Sequence, residues 1–446
     1  MVKEYGVKRL ELIIYRGTHE VGGTVMELKT QNTRILMDAG YPLFLDGELI
    51  DEKLVKMPYQ KLLEMGVIPE IKGLYRWDAP EFDAVVISHA HSDHFGLLNY
   101  IHPDIPIYCT ETTRKLIELS LAFPVRDFGL RKWQTIEMNQ NYSDNKNVMI
   151  GDAAITAYPM DHSAFDAAAF EIGAEGKTVI YTGDFRGHGR RKEYLDRFIE
   201  SAAKEADLLL IEGTTLGRKG ETRLTEEELQ REAAKIIGKS KGIVLVQPSS
   251  QNIDRIISFY HAARACGRIL VIDIYMANLL YELNRLGHHL PVPSLRNPYM
   301  RVFYPSLLTK KVQKAFGKKY LSRFRLYAVS ASQITKKQKS IVMTVRPSML
   351  FDLKLMKLKQ GDYIYSLWRA YRSKPQQIKL ENYLKSQGFT DRYLHTSGHA
   401  FEEDIKRVIR GLDPKRIIPI HTFCPEAFLG FSDKAELHQD GVTIEI

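Results

Sequence analysis

The stretch Ser88-His89-Ala90-His91-Ser92-Asp93-His94-Phe95-Gly96, "SHAHSDHFG", sets three histidines and an aspartate within six residues. A packed core has little use for such a run, whereas a metal centre does. The residues before it, "FDAVVI", form a short apolar run, so the histidines follow a strand end. His89 and His91 are two apart and point the same way if the chain stays extended. Asp93 and His94 come after a turn. Four ligands so close in sequence strain one tetrahedral ion. Two ions can divide them, His89 and His91 to the first, Asp93 and His94 to the second.

Working outward, other β-rich runs end the same way. "TRILMDAG" ends on Asp38, "AAITAYPMDH" on His162, "KTVIYTGDF" on Asp184, "ADLLLIEGTT" on Glu212 and "RIIPIHT" on His421. Strand ends are rigid, and neighbouring strands can aim their ends at one cleft. His162, Asp184 and His421 would complete the two shells. No Cys-x-x-Cys pair is present, so the donors are imidazole and carboxylate. That set suits Zn²⁺ and tolerates Mn²⁺. Two ions about 3.5–4 Å apart would share a hydroxide as nucleophile.

The chain has 446 residues, enough for two domains. No apolar run approaches the roughly 20 residues that span a bilayer, and "MVKEYGVKRLELIIYRG" lacks a signal-peptide pattern. Three cysteines far apart exclude a disulfide framework and fit a reducing, cytoplasmic setting. The net charge of +9 is uneven: Arg301 to Lys374 holds 18 Lys/Arg against Asp352 and Asp362, so the remainder is acidic. Lys310, Lys311, Lys314, Lys318 and Lys319 lie at the heart of this segment, in "KKVQKAFGKKYLSRFR". A confined basic surface points to a polyanion, nucleic acid first; a solvated face is the plainer alternative.

After residue 213 the pattern changes. Thr225 and Glu228 predict a capping box, followed by alternating strands and helices, the mark of a parallel α/β unit. The loop Ser249-Ser250-Gln251-Asn252 precedes a helix, where hydroxyls and backbone N–H groups can hold a phosphate; its commoner role is to cap the helix. Lone histidines such as His19, His188, His261, His288 and His289 read as structural or surface residues. His395, in "HTSGHA", lies nearer the expected cleft.

These motifs resemble those of the metallo-β-lactamase fold and, within it, the β-CASP nucleases, which include RNase J and the mRNA 3′-end-processing endonucleases. Asp38, the His89–His94 run, His162 and Asp184 match the four fold motifs. Glu212 in "IEGTT", His399 in "HTSGHA" and His421 in "PIHTF" resemble the three further motifs of the β-CASP group. The resemblance implies an α/β fold: an αββα sandwich from residues 1–213 and 388–446, with a basic, nucleic-acid-binding β-CASP domain inserted at 214–387 and overhanging the metal cleft. It implies that Asp184 bridges both metals, that His162 completes the first site and His421 the second, and that Asp38 orients a ligand histidine. Asp38, Asp93, Glu212 and His399 would serve catalysis, with Ser249, Ser250, Ser397 and the five lysines on phosphates. RNase J proteins carry Gly-Glu after the last histidine, where this chain has "HTFCPE"; the 25 residues after His421 leave no room for the RNase J dimerisation domain.

The expected function is therefore a nuclease that hydrolyses RNA, single-stranded for preference, with two divalent ions, and with no membrane partner. A DNA nuclease of the same fold is the first rival; that branch tends to lack His at the position of His421. A small-molecule ester or thioester hydrolase would not need the basic segment or the Glu212/His399 pair. An inactive RNA-binding scaffold would not keep all seven ligands.

Overall fold

The computed structural model of the chain describes residues 9–50, 57–121, 131–139, 146–218, 220 and 222–446. Two mixed sheets face each other. The first runs, in spatial order, Thr443–Glu445, Glu11–Arg16, Val25–Lys29, Arg34–Ala39, Ala84–Val86, Ile107–Cys109 and Trp133–Thr135. The second runs Ile417–Ile420, Leu208–Glu212, Lys177–Tyr181, Ala167–Ala174, Ala153–Met160 and Asn147–Ile150. The strand "ELIIYR" shows why they stack: its alternate side chains Leu12, Ile14 and Arg16 are buried, as a period of two requires. Leu12, Ile14, Met26, Met37 and Val86 meet Phe170, Tyr181, Leu210 and Ile418 between the sheets. Helices Glu193–Ser201 and Glu402–Leu412 cover the outer face of the second sheet with Leu195, Phe198, Ile405 and Val408. Helix Glu111–Leu121 packs Leu116 and Ile117 with Val85 and Ile107 in the cluster outside the first sheet. The expected αββα sandwich is the architecture found.

A third sheet stands apart. Its six strands, Met300–Phe303, Ile269–Asp273, Ile341–Thr344, Ile243–Gln247, Gly361–Tyr365 and Phe389–Tyr393, are all parallel. All six carboxyl ends therefore lie on one rim, the end at which open α/β sheets hold ligands. The capping box of Thr225 and Glu228 opens helix Glu226–Lys239. The expected boundary at 387 is one strand short. Phe389–Tyr393 pairs with Gly361–Tyr365, so the inserted sheet takes its last strand from beyond that point. This edge strand, "FTDRY", buries only Phe389 and partly Tyr393, so its polarity reads as loop.

A buried ionic cluster joins insert to sandwich. Arg186, two residues past Asp184, bonds Asp161 Oδ1 (3.0 Å), Glu226 Oε1 (3.2 Å) and Asp254 Oδ2 (2.7 Å). Arg255 bonds the same Glu226 (2.8 Å) and reaches Ser366 Oγ (2.7 Å) and the carbonyl of Thr396 (3.1 Å). Arg186, Arg255 and Glu226 are all fully buried. Burial pushes the Glu226 carboxyl up, but Arg255 and Arg186 outweigh it and hold it far below the usual carboxylate range. Losing one partner from such a cluster leaves a buried charge unpaired, at a cost of about 3–5 kcal/mol. Glu226→Gln is expected to lower unfolding free energy by about that much at pH 7. Because the native pKa is depressed, this stabilisation is present above the unfolded value near 4.3 and fades as pH falls below it. Urea titrations at pH 7 and near pH 2.5 check both: a difference between variant and parent that does not narrow in acid would rule out the charge-based account.

Candidate metal centre and cleft

The strand register gathers the candidate ligands at one end of the sandwich. Met160 pairs with Ala167 and Phe170 with Tyr181, while Lys177–Tyr181, Leu208–Glu212 and Ile417–Ile420 run parallel. His162, Asp184, Glu212 and His421 thus emerge on the same edge. Leu208–Glu212 is buried at every position, as a central parallel strand should be, and delivers Glu212 at its last residue. In the first sheet, Arg34–Ala39 is parallel to Ala84–Val86, which places Asp38 beside the start of the histidine run. His91 is the extended residue before a one-turn helix, Ser92–Phe95, which carries Asp93 and His94. A side chain at Gly40 would meet the Asp93 carbonyl oxygen at 1.9 Å, so only glycine lets that turn dock here.

Asp38 and His421 both hold left-handed backbone, with φ of 57° and 51°. Such strain in non-glycine residues persists where the surroundings enforce it. Asp38 Oδ1 accepts from Ser88 N, and Asp38 Oδ2 from Ser88 Oγ, both at 2.7 Å; Oδ2 also takes the Tyr181 hydroxyl and faces His94 Nδ1 at 2.7 Å. Ser88 Oγ has donated to Asp38, so it accepts from His89 Nδ1 at 3.0 Å. Thr214 Oγ1 donates to the His421 carbonyl (3.1 Å) and accepts from His421 Nδ1 (2.7 Å). This pattern places N–H on Nδ1 of His89 and His421 and leaves the lone pair on Nε2. A hydrogen bond on one ring nitrogen frees the other for a metal.

Those Nε2 atoms make no hydrogen bond within the protein. Among the described residues, His89 Nε2, His421 Nε2 and His162 Nδ1 are buried without a hydrogen bond. His162 Nε2 and His91 Nδ1 converge to 3.1 Å. Four donor groups overlap: His89, His91 and His162; Asp93, His94 and His421; His89, His94 and Asp184; Asp184, Glu212, His399 and His421. Asp184 is central. Its Oδ2 lies 3.1 Å from His94 Nε2, 3.8 Å from His89 Nε2 and 3.9 Å from His162 Nε2, while Oδ1 lies 3.7 Å from His421 Nδ1. Unsatisfied imidazoles converging on shared carboxylates fit a divalent cation. The charges agree. Burial pushes His89 and His162 well down and His91 to about 4, keeping their lone pairs bare. Burial opposes charge on His94 too, but Asp184 and Asp38 outweigh it and hold its pKa high. Burial would raise Asp93, yet His421 and His94 hold it at about 2.

Glu212 is fully buried and accepts from Phe185 N (2.9 Å) and Thr214 N (3.2 Å). His399 Nδ1 lies 3.2 Å from Glu212 Oε2 and 3.5 Å from Asp184 Oδ2. Burial works against the imidazolium, but Glu212 and Asp184 prevail, so its pKa is raised. His399 lines a cleft of about 300 Å³ between the two domains. His91, Asp93, Ser163, Ser397 and Gly398 line it from the sandwich side, and Ser249, Gln251, Ser366, Trp368 and Tyr371 from the insert.

The structure does not bring every expected residue to this cleft. Ser249 and Ser397 line it; Ser250 lines a neighbouring hollow that shares Ser249 and Gln251 with it. Asn252 caps helix Ile253–Ala265 through Arg255 N, the plainer role foreseen for that loop. Lys310, Lys311, Lys314, Lys318 and Lys319 are exposed on helices Ser306–Phe316 and Lys318–Ser322, and none lines the cleft; the basic segment reaches the cleft instead through Ser366, Trp368 and Tyr371. Topology gives the reason. The lysine helices follow the edge strand Met300–Phe303, three positions from Ile243–Gln247, whose end feeds the cleft. At about 4.8 Å per strand, that edge strand lies roughly 14 Å from Ile243–Gln247.

The cleft's arginine was missed by the sequence reading: Arg218, packed 4.7 Å over the Trp368 ring. So were Trp368 and Tyr371 in "SLWRAYRSK", whose interleaved aromatic and basic residues are a signal in hindsight. His395 lines the cleft and is held near 3 by burial and Arg255, hence neutral. His188 is structural: stacked on Phe401 at 4.1 Å, it donates to the Ser397 carbonyl (2.9 Å).

Comparison with known proteins agrees with this architecture. Residues 67–241 match the beta-lactamase superfamily domain, and residues 390–444 the Zn-dependent metallo-hydrolase RNA specificity domain. Ribonuclease J of Helicobacter pylori is 23% identical over 413 residues, covering 91% of this chain and 55% of that protein. Ribonuclease J of Methanocaldococcus jannaschii is 24% identical over 432 residues, 93% of this chain and 91% of its own length. Transcription termination factor FttA of Methanothermobacter thermautotrophicus is 26% identical over 60% of this chain and 42% of its length. The chain thus spans about half the length of several curated relatives it matches. A crystal structure of a protein of unknown function from Enterococcus faecalis V583 superposes with a TM-score of 0.78 at 23% identity, covering 98% of this chain and all of that one. The chain thus carries a beta-lactamase superfamily domain and an RNA specificity domain in this order, and matches ribonucleases J over about nine-tenths of its length, consistent with the β-CASP family of metallo-β-lactamase-fold proteins.

Proposed function

We propose that this protein is a metal-dependent hydrolase of RNA phosphodiester bonds, acting on single-stranded RNA held in the cleft between sandwich and insert. The observation that carries this reading is the Glu212–His399 pair beside the carboxylate–histidine cluster. A phosphodiester needs a proton for its leaving oxygen, and a carboxylate-backed imidazole supplies one. His89, His91 and His162 would hold one divalent ion, and Asp93, His94 and His421 a second, with Asp184 common to both. Two ions, Zn²⁺ in preference to Mn²⁺, would supply Lewis-acid chemistry there, neutralising phosphate charge and activating water.

The residues of the chain divide the remaining work. Asp38 fixes His94 directly and His89 through Ser88, so both rings present Nε2. Glu212 holds Nδ1 of His399 and leaves Nε2 toward the cleft for the leaving oxygen. Arg218, Ser249 and Ser397 line the cleft and would contact phosphate oxygens. The names of the ribonuclease relatives, and of the RNA specificity domain, favour RNA over DNA. The reading is tested with end-labelled RNA and DNA oligomers of one sequence, incubated with Zn²⁺ and with Mn²⁺. RNA is expected to be cut and DNA spared. Equal cleavage of both would move the assignment to the DNA branch, and cleavage of neither would end it.

The displaced lysines make a second expectation. A strand running from the cleft along the rim of the inserted sheet would cross them, adding affinity that falls with salt as counterions are released. Changing Lys310, Lys311, Lys314, Lys318 and Lys319 together to Gln is expected to weaken RNA binding. The slope of log affinity against log salt should flatten by roughly 0.7 for each phosphate that is no longer neutralised. An unchanged slope would mean that this surface faces away from the RNA.

A further inference from the structure

Across Trp368 from the metal cluster lies a second hollow, of about 550 Å³, lined by His19, Glu20, Phe44, Asp46, Trp368 and Phe423. Trp368 lines both this hollow and the cleft, so the two share a wall. Their floors are linked through the chain as well. Phe423 lies two residues past His421, and Phe44 follows Leu43, which lines the cleft. The rings of Phe44 and Phe423 meet edge to face, with centroids 5.3 Å apart and planes at 76°; Phe44 and Trp368 do so at 6.2 Å and 79°. Neither pair is stacked flat; Arg218, which lines the cleft and not the hollow, packs over the Trp368 ring at 4.7 Å. Phe423 is 47% exposed, although the neighbouring Thr422 is fully buried. It stands in "HTFCPE", where the proposed chemistry uses His421 but gives Phe423 no role.

We propose that this aromatic hollow is a nucleobase subsite, which receives the unpaired base next to the scissile phosphate and stacks it on Trp368 and Phe423. The inference rests on the nuclease reading. Aromatic faces attract a flat, neutral ring regardless of its sequence identity. The exposed carboxylate of Asp46 at the hollow repels a phosphate, so the base enters and the backbone stays in the cleft. Base-paired RNA cannot turn a base outward without breaking a pair, so the subsite selects single strands. A structural role for Phe423 would call for burial, and its exposure argues against one.

The test uses binding without turnover. A single-stranded RNA oligomer with one mapped cleavage site is prepared as a series, each member carrying 2-aminopurine at one position, and as a matching abasic series. Both are titrated into the full chain in the presence of a chelator. One position beside the cleavage site is expected to show stacking quenching, and an abasic nucleotide there to weaken binding roughly 5- to 150-fold, the range for one base stacked on an aromatic side chain. Phe423→Ala and Trp368→Ala are expected to abolish both effects at that position. Phe423→Tyr and Trp368→Phe should restore them. Phe423→Ala should keep the parent's melting temperature, since Phe423 is largely exposed. RNA that binds and is cut, but shows no position-specific quenching, or quenching unchanged in the alanine variants, would overturn the subsite and leave the nuclease reading standing. RNA that neither binds nor is cut when metal is restored would remove both.

Discussion

Asp184→Ala is expected to strip the protein of both metals and lower RNA cleavage by far more than the loss of any outer partner. The carboxylate is fully enclosed and faces His94, His89 and His162 with one oxygen and His421 with the other. No other described carboxylate touches donors of both proposed shells in this way. Asp38 supplies the comparison. It contacts His94 directly and His89 through Ser88, but does not belong to the converging donor groups. Changing an outer partner typically costs 10–100-fold in metal affinity or activity, so Asp38→Asn should bind metal more weakly and regain activity at high metal concentration. Asp184→Ala should not regain it, because alanine cannot neutralise the charge between two cations. Elemental analysis after dialysis, with activity titrated against added Zn²⁺, separates the two. About two ions per chain in the parent and fewer than one in Asp184→Ala is the expected result. An Asp184→Ala protein that keeps two ions, or that is rescued by metal as well as Asp38→Asn is, would show that this carboxylate does not join the sites.

That the candidate donors converge was largely legible in the sequence because they announce themselves locally. His89, His162, Asp184 and His421 each come at or just past the end of an apolar run, where a strand fixes the direction of the chain, and His91, Asp93 and His94 share one short motif with His89. What the sequence could not state was which of several similar charges would be buried. Helix Glu226–Lys239 opens "EEELQRE", and of its three leading glutamates only Glu226 is fully buried, against Arg186 and Arg255. Any of the three suits the first turn of a helix, so the local pattern cannot choose. The domain boundary failed for a related reason: an edge strand with a solvated face carries the composition of a loop. The lysine helix was misplaced because charge counting gives sign and segment but no lateral position. That is set by strand order, and the order of the third sheet places Met300–Phe303 at the far edge.

His399→Ala is expected to keep both metals and most RNA affinity while losing turnover by about 10²–10⁴-fold, the range for a lost general acid. His399 is 3.2 Å from Glu212 and at the edge of the carboxylate–histidine cluster, so it can be removed without emptying either proposed shell. A leaving ribose oxygen departs poorly as an alkoxide, and a positioned imidazolium avoids that cost. Although burial disfavours the imidazolium, Glu212 and Asp184 raise its pKa, so the donor holds its proton over a wider range than a free histidine. The sign of the pH effect follows. Activity should fall as pH rises through the donor's pKa, and Glu212→Gln, which removes the chief raising charge, should bring that fall to lower pH with a smaller loss at the optimum. The decisive comparison uses a nitrophenyl phosphodiester, whose leaving group needs little protonation. That substrate should be largely spared by His399→Ala while RNA is not. If both lose the same factor, His399 is holding the phosphate or the shape of the site, and the role of proton donor passes to another group of the cleft.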